Sequence, residues 1–160
     1  MENISEHVSW DEAVNSSTAK SLKIDNSPTA EHLKSMKLLA EKVFEPIRKH
    51  FGKPIKINSF YRSAALNKAI PGSSSTSQHS KGEAMDIDAT AGFTNKDIFE
   101  YIVKNLEFDQ IIWEGGTLSN PDWVHVSYTS GKNRKQILQM IKVNGASTYK
   151  AHADLSFIKS

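Results

Sequence analysis

The chain contains no cysteine and little glycine or proline, with 8 glycines and 5 prolines among its 160 residues. Without cysteine it cannot form disulfide bonds, thiolate zinc fingers, iron–sulfur clusters or a cysteine nucleophile, so any metal must be held by His, Asp, Glu or water. The low glycine and proline content and the 38% hydrophobic residues exclude collagen-like and wholly disordered proteins. A chain of this length is expected to fold as one domain.

A large net charge and long apolar runs are absent as well. The formal net charge of +2 is too small to bind nucleic acid by charge alone. The N-terminus has no basic segment followed by an apolar run, and no stretch approaches 18 apolar residues, so neither a signal peptide nor a membrane span is predicted. The charge is unevenly spread, since residues 83–122 hold nine acidic and two basic residues. This acidic stretch is the first place to look for chemistry.

Helix signals dominate the first part of the chain. Ser9 followed by Glu12 is typical of a capping box and predicts a short helix. A longer helix is predicted to begin at Ser27-Pro28, because apolar residues then recur at three- and four-residue spacing, and to end at Pro46 and Gly52. The other predictions here are a loop over 20–28, a strand over 55–60 and a short helix around 63–70.

Strand signals dominate the second part. Residues 84–89 alternate, which places Asp86 and Asp88 on one face of a strand and apolar side chains on the other. Thr94 is predicted to cap a helix that runs to about 106. Short links favour antiparallel pairing, so the predicted class is α+β, a single domain with a small antiparallel or mixed sheet and helices packed on one side. The remaining predictions are strands over 108–113 and 123–128 and a hairpin within 134–152 around Asn144-Gly145.

Three residues with metal-binding side chains fall on elements that could converge. His79 ends the polar loop 71–77, which predicts a position near the surface, while Asp86 and His125 lie on the polar faces of two strands. Three protein ligands leave one position of a tetrahedral zinc ion open for water, and zinc lowers the pKa of such a water to about 7. Histidine is common at protein surfaces, so the alternative from spacing alone is a set of solvated side chains.

The sequence around these residues carries a family resemblance. Residues 77–86, SQHSKGEAMD, match the S-x-H-x-x-G-x-A-x-D motif at all ten positions. Residues 59–67 are similar to S-x-Y-R-S-x-x-L-N, and residues 122–125 to acid-x-x-His. The three segments occur in the same order, over roughly residues 55–128, in a family that the chain resembles, the M15-type zinc D-Ala-D-Ala carboxypeptidases and L-alanyl-D-glutamate peptidases. Members of this family cleave peptidoglycan and include several phage endolysins.

This resemblance implies a fold like that of the DD-peptidases and Hedgehog domains, with Zn²⁺ as cofactor and His79, Asp86 and His125 as its ligands. It also implies that Asp122 is the general base or acid. The chemistry agrees, because hydrolysis needs a carboxylate that moves a proton near the metal without binding it. The alternative for Asp122 is a turn residue, since it follows Asn120-Pro121.

Further residues take roles from the same resemblance. Arg62 is expected to stabilise negative charge on the reacting carbonyl or on a substrate carboxylate, its alternative being a surface arginine. Ser77 is expected to bind substrate or to orient a ligand, unless it is one more loop serine.

The chain departs from part of the family at one position. Some family members carry a histidine where this chain has Asn120, so any role of that histidine in stabilising an oxyanion is absent or passes to Arg62 or Asn120. Asp88 is a candidate acceptor for the ring N–H of a ligand, and Gly82 a turn residue.

The predicted function is zinc-dependent hydrolysis of peptide bonds in peptidoglycan stem peptides. The domain is predicted to span 1–160, with a core over about 27–130 and a C-terminal hairpin or tail over 131–160. Two activities remain open, an L-Ala-D-Glu type endopeptidase, as in a lysin, and a D-Ala-D-Ala carboxypeptidase. An alternative from another class is a catalytically inactive zinc-binding interaction domain on the same scaffold.

Partners and location follow from the same reasoning. We expect a monomer whose partner is a peptidoglycan peptide, with no nucleic acid bound and no insertion into a membrane. The protein is expected to be made in the cytoplasm without a signal peptide and to act on the cell wall, as a phage lysin released through a permeabilised membrane would. The basic C-terminal stretch is either weakly attracted to anionic wall polymers or simply the solvated face of a hairpin. Glu114 and Trp113 are expected to line the cleft or the core and are assigned no role.

Overall fold

A computed structural model describes residues 2–71, 73–74 and 76–160. No helix within those ranges is both long enough and apolar enough to cross a membrane. The helices are α1 (Trp10–Val14), α2 (Ser17–Leu22), α3 (Ala30–Leu39), α4 (Glu45–Phe51), α5 (Ala64–Ala69) and α6 (Asn95–Asn105), with a π-helical turn at Ala40–Phe44 and a 3₁₀ turn at Gln78–Lys81. The strands are β1 (Ile55–Ser59), β2 (Ala84–Ala89), β3 (Gln110–Glu114), β4 (Trp123–Ser127), β5 (Gln136–Val143) and β6 (Ala146–His152).

The six strands form one mixed sheet in the order β1-β2-β4-β3-β5-β6. Four of the five pairings are antiparallel, and β3 with β5 is parallel. The predicted α+β class, with a small mixed sheet, is therefore confirmed. The parallel pair arises because β4 brings the chain back to the end of the sheet where β3 begins, so the next strand starts from that end.

One face of the sheet forms the hydrophobic core with the helices. Apolar side chains of α6 and of the α3–α4 region pack on it. Thr94 caps α6 as predicted, and Asp97 completes a capping box there. The opposite face carries the polar residues of β2 and β4, so the sheet separates the core from the candidate site. The fully buried strand residues on the core face are Met85, Ile87, Ile111, Trp113, Val124 and Val126.

The structure corrects two predictions in the first part of the chain. Part of the predicted loop 20–28 is helical, because α2 begins after a cap at Ser16 and ends at Lys23, which adopts a left-handed conformation. One α2 residue, Ala19, is buried, so the segment has no apolar periodicity to reveal it. The long helix begins at the cap Thr29, two residues later than predicted.

Pro46 does not end the long helix. The chain remains helical from α3 through the π-helical turn to α4, and Glu45 donates its backbone N–H to Ala40 O there. The wider turn directly precedes Pro46, whose missing N–H would otherwise break the α-helical pattern. The helix ends at Gly52, as predicted, where φ of +65° favours glycine.

The C-terminal hairpin is present where the sequence predicts it. Asn144 and Gly145 both have positive φ, as a tight two-residue turn between twisted strands requires. The chain after β6 returns to the helical side of the sheet, where Phe157 packs 5.6 Å from Trp113 between ring centroids. Lys159 donates its backbone N–H to Leu118 O, which ties the C-terminus to the loop between β3 and β4.

Candidate metal centre and reaction cleft

His79 is held in place by a short turn whose ends are fixed. Ser77 Oγ accepts the backbone N–H of His79 at 3.2 Å, and Gly82 ends the turn with φ of +73°. A Cβ at Gly82 would lie 2.5 Å from the backbone oxygen of His32, so only glycine lets the turn pack on α3. The prediction of a surface position was wrong, because His79 is only 3% exposed.

Asp86 and His125 face one another on adjacent strands. They are register partners of β2 and β4, and His125 Nδ1 lies 2.9 Å from Asp86 Oδ1. His79 Nε2 lies 3.4 Å from Asp86 Oδ2. One ligand atom from each of the three residues falls within 4.8 Å of the other two. The structure thus brings together all three predicted ligands, each from a different element.

The proton positions around His79 fit a bound cation. Its Nδ1 lies 2.7 Å from the backbone oxygen of Phe60, which can only accept, so Nδ1 carries the proton. Burial lowers the pKa of His79, which favours the neutral ring. The Nε2 lone pair of that ring then faces a carboxylate oxygen of Asp86 with no hydrogen between them. A positive ion bound by both atoms would resolve this repulsion.

Asp86 is ionised despite its burial. Burial alone would raise its pKa, but His79, when its ring is protonated, and the hydrogen bond from His125 hold the pKa of Asp86 well below its ordinary range. Arg62 Nη2 also lies 3.6 Å from Asp86 Oδ2. Two imidazoles and one carboxylate, with no thiolate, are a donor set that suits zinc among the divalent metals.

A second group of potential ligands, Glu6, His7 and Glu45, meets the same distance criterion. Its members are exposed or half-buried on the surface near the N-terminus. Both oxygens of Glu45 already accept hydrogen bonds, from Ser5 and from the backbone and ring of His7. We therefore take the buried triad as the candidate metal centre.

Arg62 lies beside this centre in a fixed orientation. Its Nε donates to Ser59 Oγ at 3.2 Å, and its backbone N–H donates to His79 O. Burial lowers the pKa of Arg62, while Asp86 acts in the opposite direction. The guanidinium is therefore desolvated and held at the edge of the cleft, where it can meet negative charge.

Asp122 is exposed to the same cleft, at the start of β4. Its Oδ2 accepts the backbone N–H of Gly116 at 3.1 Å, and its own N–H donates to Glu114 O. This carboxylate borders the cleft without belonging to the triad. The turn chemistry weighed as its alternative is also present, because Asp122 fixes the loop after β3.

Three other candidate residues have identifiable contacts. The Ser77 hydroxyl caps the turn of His79 while the residue also lines the cleft. Asn120 Oδ1 accepts the N–H of Lys96 at the start of α6, so its side chain is engaged away from any oxyanion. Asp88 accepts hydrogen bonds from Asn58 and Asn95, and the ring proton of His79 is accepted by the Phe60 carbonyl rather than by Asp88.

Glu114, to which the sequence assigns no catalytic or binding role, lies at the end of β3 and lines the cleft. The residue is only 7% exposed, and its carboxylate forms no hydrogen bond or ion pair with the described residues. Burial raises the pKa of Glu114 to about 7, with His125 lowering it and Asp86 raising it. Side chains alternate along 110–114, which places Glu114 on the same face as His125. This alternation is the sequence signal that indicates a position in the cleft.

Asp109 is another residue that supports the site without a local sequence signal. Its carboxylate is bound by Arg134 Nε at 3.0 Å and Nη2 at 2.8 Å, and by Gln78 Nε2 at 3.0 Å. Because Gln78 precedes His79, one buried carboxylate joins the turn of the metal centre to the segment that leads into β5. No local sequence signal marks a contact that spans 25 to 31 residues.

The cleft around the centre has a volume of about 1370 Å³. Residues 70–71, 73–74 and 76–78 border it on one side, and the loop after β3 and the face of β5 and β6 border it on the other. Asn67 holds the first loop by donating to Ser74 O at 2.7 Å. The cleft is large enough for an extended chain of several residues, since most pockets for small ligands hold about 300–1,000 Å³.

Two histidines and an aspartate converge on a long cleft that Arg62 and Asp122 border, an arrangement able to hold a metal ion and to assist hydrolysis. A family profile, Peptidase M15, matches residues 6–127. The chain belongs to the M15 peptidase family, which confirms the resemblance and implies a peptidase. No curated protein matches the chain.

Proposed function

We propose that the protein is a zinc-dependent peptidase that hydrolyses peptide bonds in peptidoglycan stem peptides. The observation that carries this proposal is the convergence of His79, Asp86 and His125 at a cleft bordered by Arg62 and Asp122. Membership of the M15 family supports a peptidase acting on substrates of the peptidoglycan type.

His79, Asp86 and His125 would hold the zinc ion, the first through Nε2 because its Nδ1–H is donated to Phe60 O. Bound zinc supplies a Lewis acid that polarises a carbonyl and lowers the pKa of a water molecule. Phe60 orients the ring of His79, and the deep burial of this ring keeps it neutral, as a ligand must be.

The polar residues at the cleft edge would act on the substrate. Asp122 would take the proton that the attacking water loses and deliver it to the leaving amine, because its carboxylate borders the cleft without belonging to the triad. Arg62 would stabilise the negative charge that develops on the carbonyl oxygen, since its guanidinium is already oriented by Ser59. Ser77 would contribute by fixing the turn of His79 at the substrate's side of the cleft.

The shape of the cleft favours an endopeptidase over a carboxypeptidase. A carboxypeptidase needs a closed pocket that recognises a terminal carboxylate, whereas an endopeptidase needs a groove in which the chain extends on both sides of the scissile bond. The cleft is open and extends past the centre along β5 and β6. We further propose that the protein acts at the cell wall, as a monomer, with a wall peptide as its partner.

Mass spectrometry of purified peptidoglycan fragments tests the proposal. Fragments are incubated with the native protein, with the protein after chelation, and with the chelated protein after zinc is added back. We expect cleavage that chelation abolishes and zinc restores. Release of a peptide beginning at D-Glu identifies an endopeptidase, and loss of a terminal alanine identifies a carboxypeptidase. Zinc binding without cleavage of fragments from several wall types would overturn the proposal in favour of an inactive interaction domain.

A further inference from the structure

The C-terminal hairpin lies outside the residues matched by the family, 6–127, yet it borders the same cleft as the candidate metal centre. β5 pairs in parallel with β3, so Leu138 and Met140 lie opposite Ile112 and Glu114 on the site face of the sheet. The hairpin therefore extends the floor of the cleft by two strands.

Tyr149 presents an aromatic ring on this added floor. It is the register partner of Met140 on β6 and is 53% exposed. Burial of its hydroxyl, together with the charges of Glu114 and Asp86, raises the pKa of Tyr149, so the ring shares the electrostatic environment of the centre. At this position the ring offers an apolar face to a ligand in the cleft.

Cationic side chains also line this part of the cleft. Lys142 follows Met140 on the same face of β5, and Arg134 precedes the strand. Stem peptides of peptidoglycan carry several carboxylates and few cations. Arg134 is already bound by Asp109, so it is Lys142 that offers a charge complementary to such a peptide. Lys150 is exposed on the opposite face of β6, because side chains alternate along a strand.

We propose that the hairpin β5–β6 binds a peptide of the substrate beyond the residues next to the scissile bond, with the Tyr149 ring packed on the chain and Lys142 paired with one of its carboxylates. The occupant is the second stem peptide of a cross-linked pair, because the cleft, with a volume of about 1370 Å³, exceeds the size of most pockets for one small ligand and includes the hairpin in its lining. This inference rests on the proposed function and adds a preference for substrate length.

Binding and turnover are measured with two ligands, a single stem peptide and a cross-linked dimer of stem peptides. Calorimetry gives the Kd of each ligand in zinc-loaded protein carrying Asp122→Asn, which slows cleavage during the titration, alone and combined with Tyr149→Ala, Tyr149→Phe or Lys142→Ala. KM and kcat are measured in the same variants without Asp122→Asn. Lys150→Ala is the matched control, since it removes the same charge from the other face of the hairpin. Circular dichroism and thermal melting verify that each variant is folded.

We expect Tyr149→Ala and Lys142→Ala each to raise the Kd and the KM for the dimer about tenfold, with kcat and the values for the single peptide unchanged. Tyr149→Phe, which keeps the ring, and Lys150→Ala are expected to match the native protein. Equal effects of Lys142→Ala and Lys150→Ala, or unchanged dimer binding in Tyr149→Ala, would overturn the inference.

The two proposals fail in distinguishable ways. If the native protein cleaves no fragment, the proposed function fails, while the binding contrast between dimer and single peptide still decides the role of the hairpin. If cleavage occurs and the variants bind the dimer as the native protein does, the inference alone fails. Variants that weaken binding of a peptide-free glycan strand instead would assign the surface to sugar and overturn the peptide assignment.

Discussion

At the scale of single residues, the position of one proton determines which nitrogen of His79 can bind a metal. The Phe60 carbonyl takes the Nδ1 proton of His79, and this leaves Nε2 to face Asp86. A backbone carbonyl in this role is invisible to motif reasoning, which instead considered the Asp88 side chain. The ligand types could be predicted from the sequence, but the group that orients them could not, because every residue has a carbonyl.

Replacing Asp122 by Asn tests its part in proton transfer. The amide oxygen can still accept the N–H of Gly116, so the loop is expected to keep its shape while the proton acceptor is lost. We expect kcat to fall by about 10²–10⁴ at unchanged zinc content, measured by single-turnover assay and elemental analysis. Asp154→Asn, at an exposed carboxylate outside the cleft, serves as the control. A change of less than threefold in Asp122→Asn would rule out a role in proton transfer.

Glu114 makes the metal-free protein less stable as the pH rises. Its pKa is about 7 in the folded chain against 4.5 for an ordinary glutamate, so the folded state holds the proton more tightly than the unfolded state. Stability from this group is complete below pH 4.5 and is lost between 4.5 and 7. Urea unfolding with chelator present should show Glu114→Gln equal to the native protein at pH 4 and more stable by roughly 3 kcal/mol at pH 8. An equal difference at both pH values would contradict the assignment.

At the scale of elements, the turn of His79 depends on one glycine. Gly82→Ala adds a Cβ against the backbone of His32 and imposes positive φ on alanine. Gly145→Ala is the matched control, because it has the same sign of φ and no atom within 4 Å of its Cβ. We expect the control to lose about 1 kcal/mol and Gly82→Ala clearly more, with weaker zinc binding, by thermal melting and metal titration. Equal losses would show that the packing on α3 is unimportant.

Asp109 joins two elements that the sequence leaves unrelated. Asp109→Asn removes the charge that binds both Arg134 and Gln78, and we expect a loss of about 1–2 kcal/mol in urea unfolding, limited by the exposure of Arg134. Glu107→Gln, which breaks an exposed ion pair with Lys135, is expected to cost almost nothing. A loss in Asp109→Asn no larger than in this control would contradict an anchoring role.

Element boundaries show where sequence reasoning reaches its limit. β1, β2, β4 and α6 lie close to the predicted ranges because their apolar periodicity matches a buried face. α2 shows no apolar periodicity because it buries a single residue, and the π-helical turn that lets the helix continue past Pro46 has no local sequence signature. Tertiary packing decides such cases, and one sequence does not display it.

At the scale of the whole molecule, metal binding and folding are linked. A metal that binds the folded triad but not the unfolded chain adds about 2.7 kcal/mol at 100 times its Kd, which raises the melting temperature by roughly 5–10 °C. We expect calorimetric scans to show this rise with zinc in the native protein and to lose it in His79→Ala. His7→Ala, from the exposed surface group, is expected to keep it. A rise that His79→Ala retains and His7→Ala loses would move the metal to that other group.

The pairing order of the sheet was beyond sequence reasoning, although the class was not. Helices followed by strands, with short links, are enough to predict α+β. β5 pairs in parallel with β3 because the chain leaves β4 at the end of the sheet where β3 begins. That position depends on the geometry of the assembled sheet. The contribution of the hairpin to the cleft depends on that pairing and was therefore equally hidden.

The three candidate ligands come from three elements, and Asp86 and His125 are 39 residues apart in the chain. A metal held between them would act as a reversible cross-link in a chain that has no cysteine to make a covalent one. Because the metal binds the folded triad and not the unfolded chain, this cross-link exists only in the folded protein, and it does not depend on the redox state of the surroundings. The availability of metal, rather than the redox state of the surroundings, would then decide how durable the fold is.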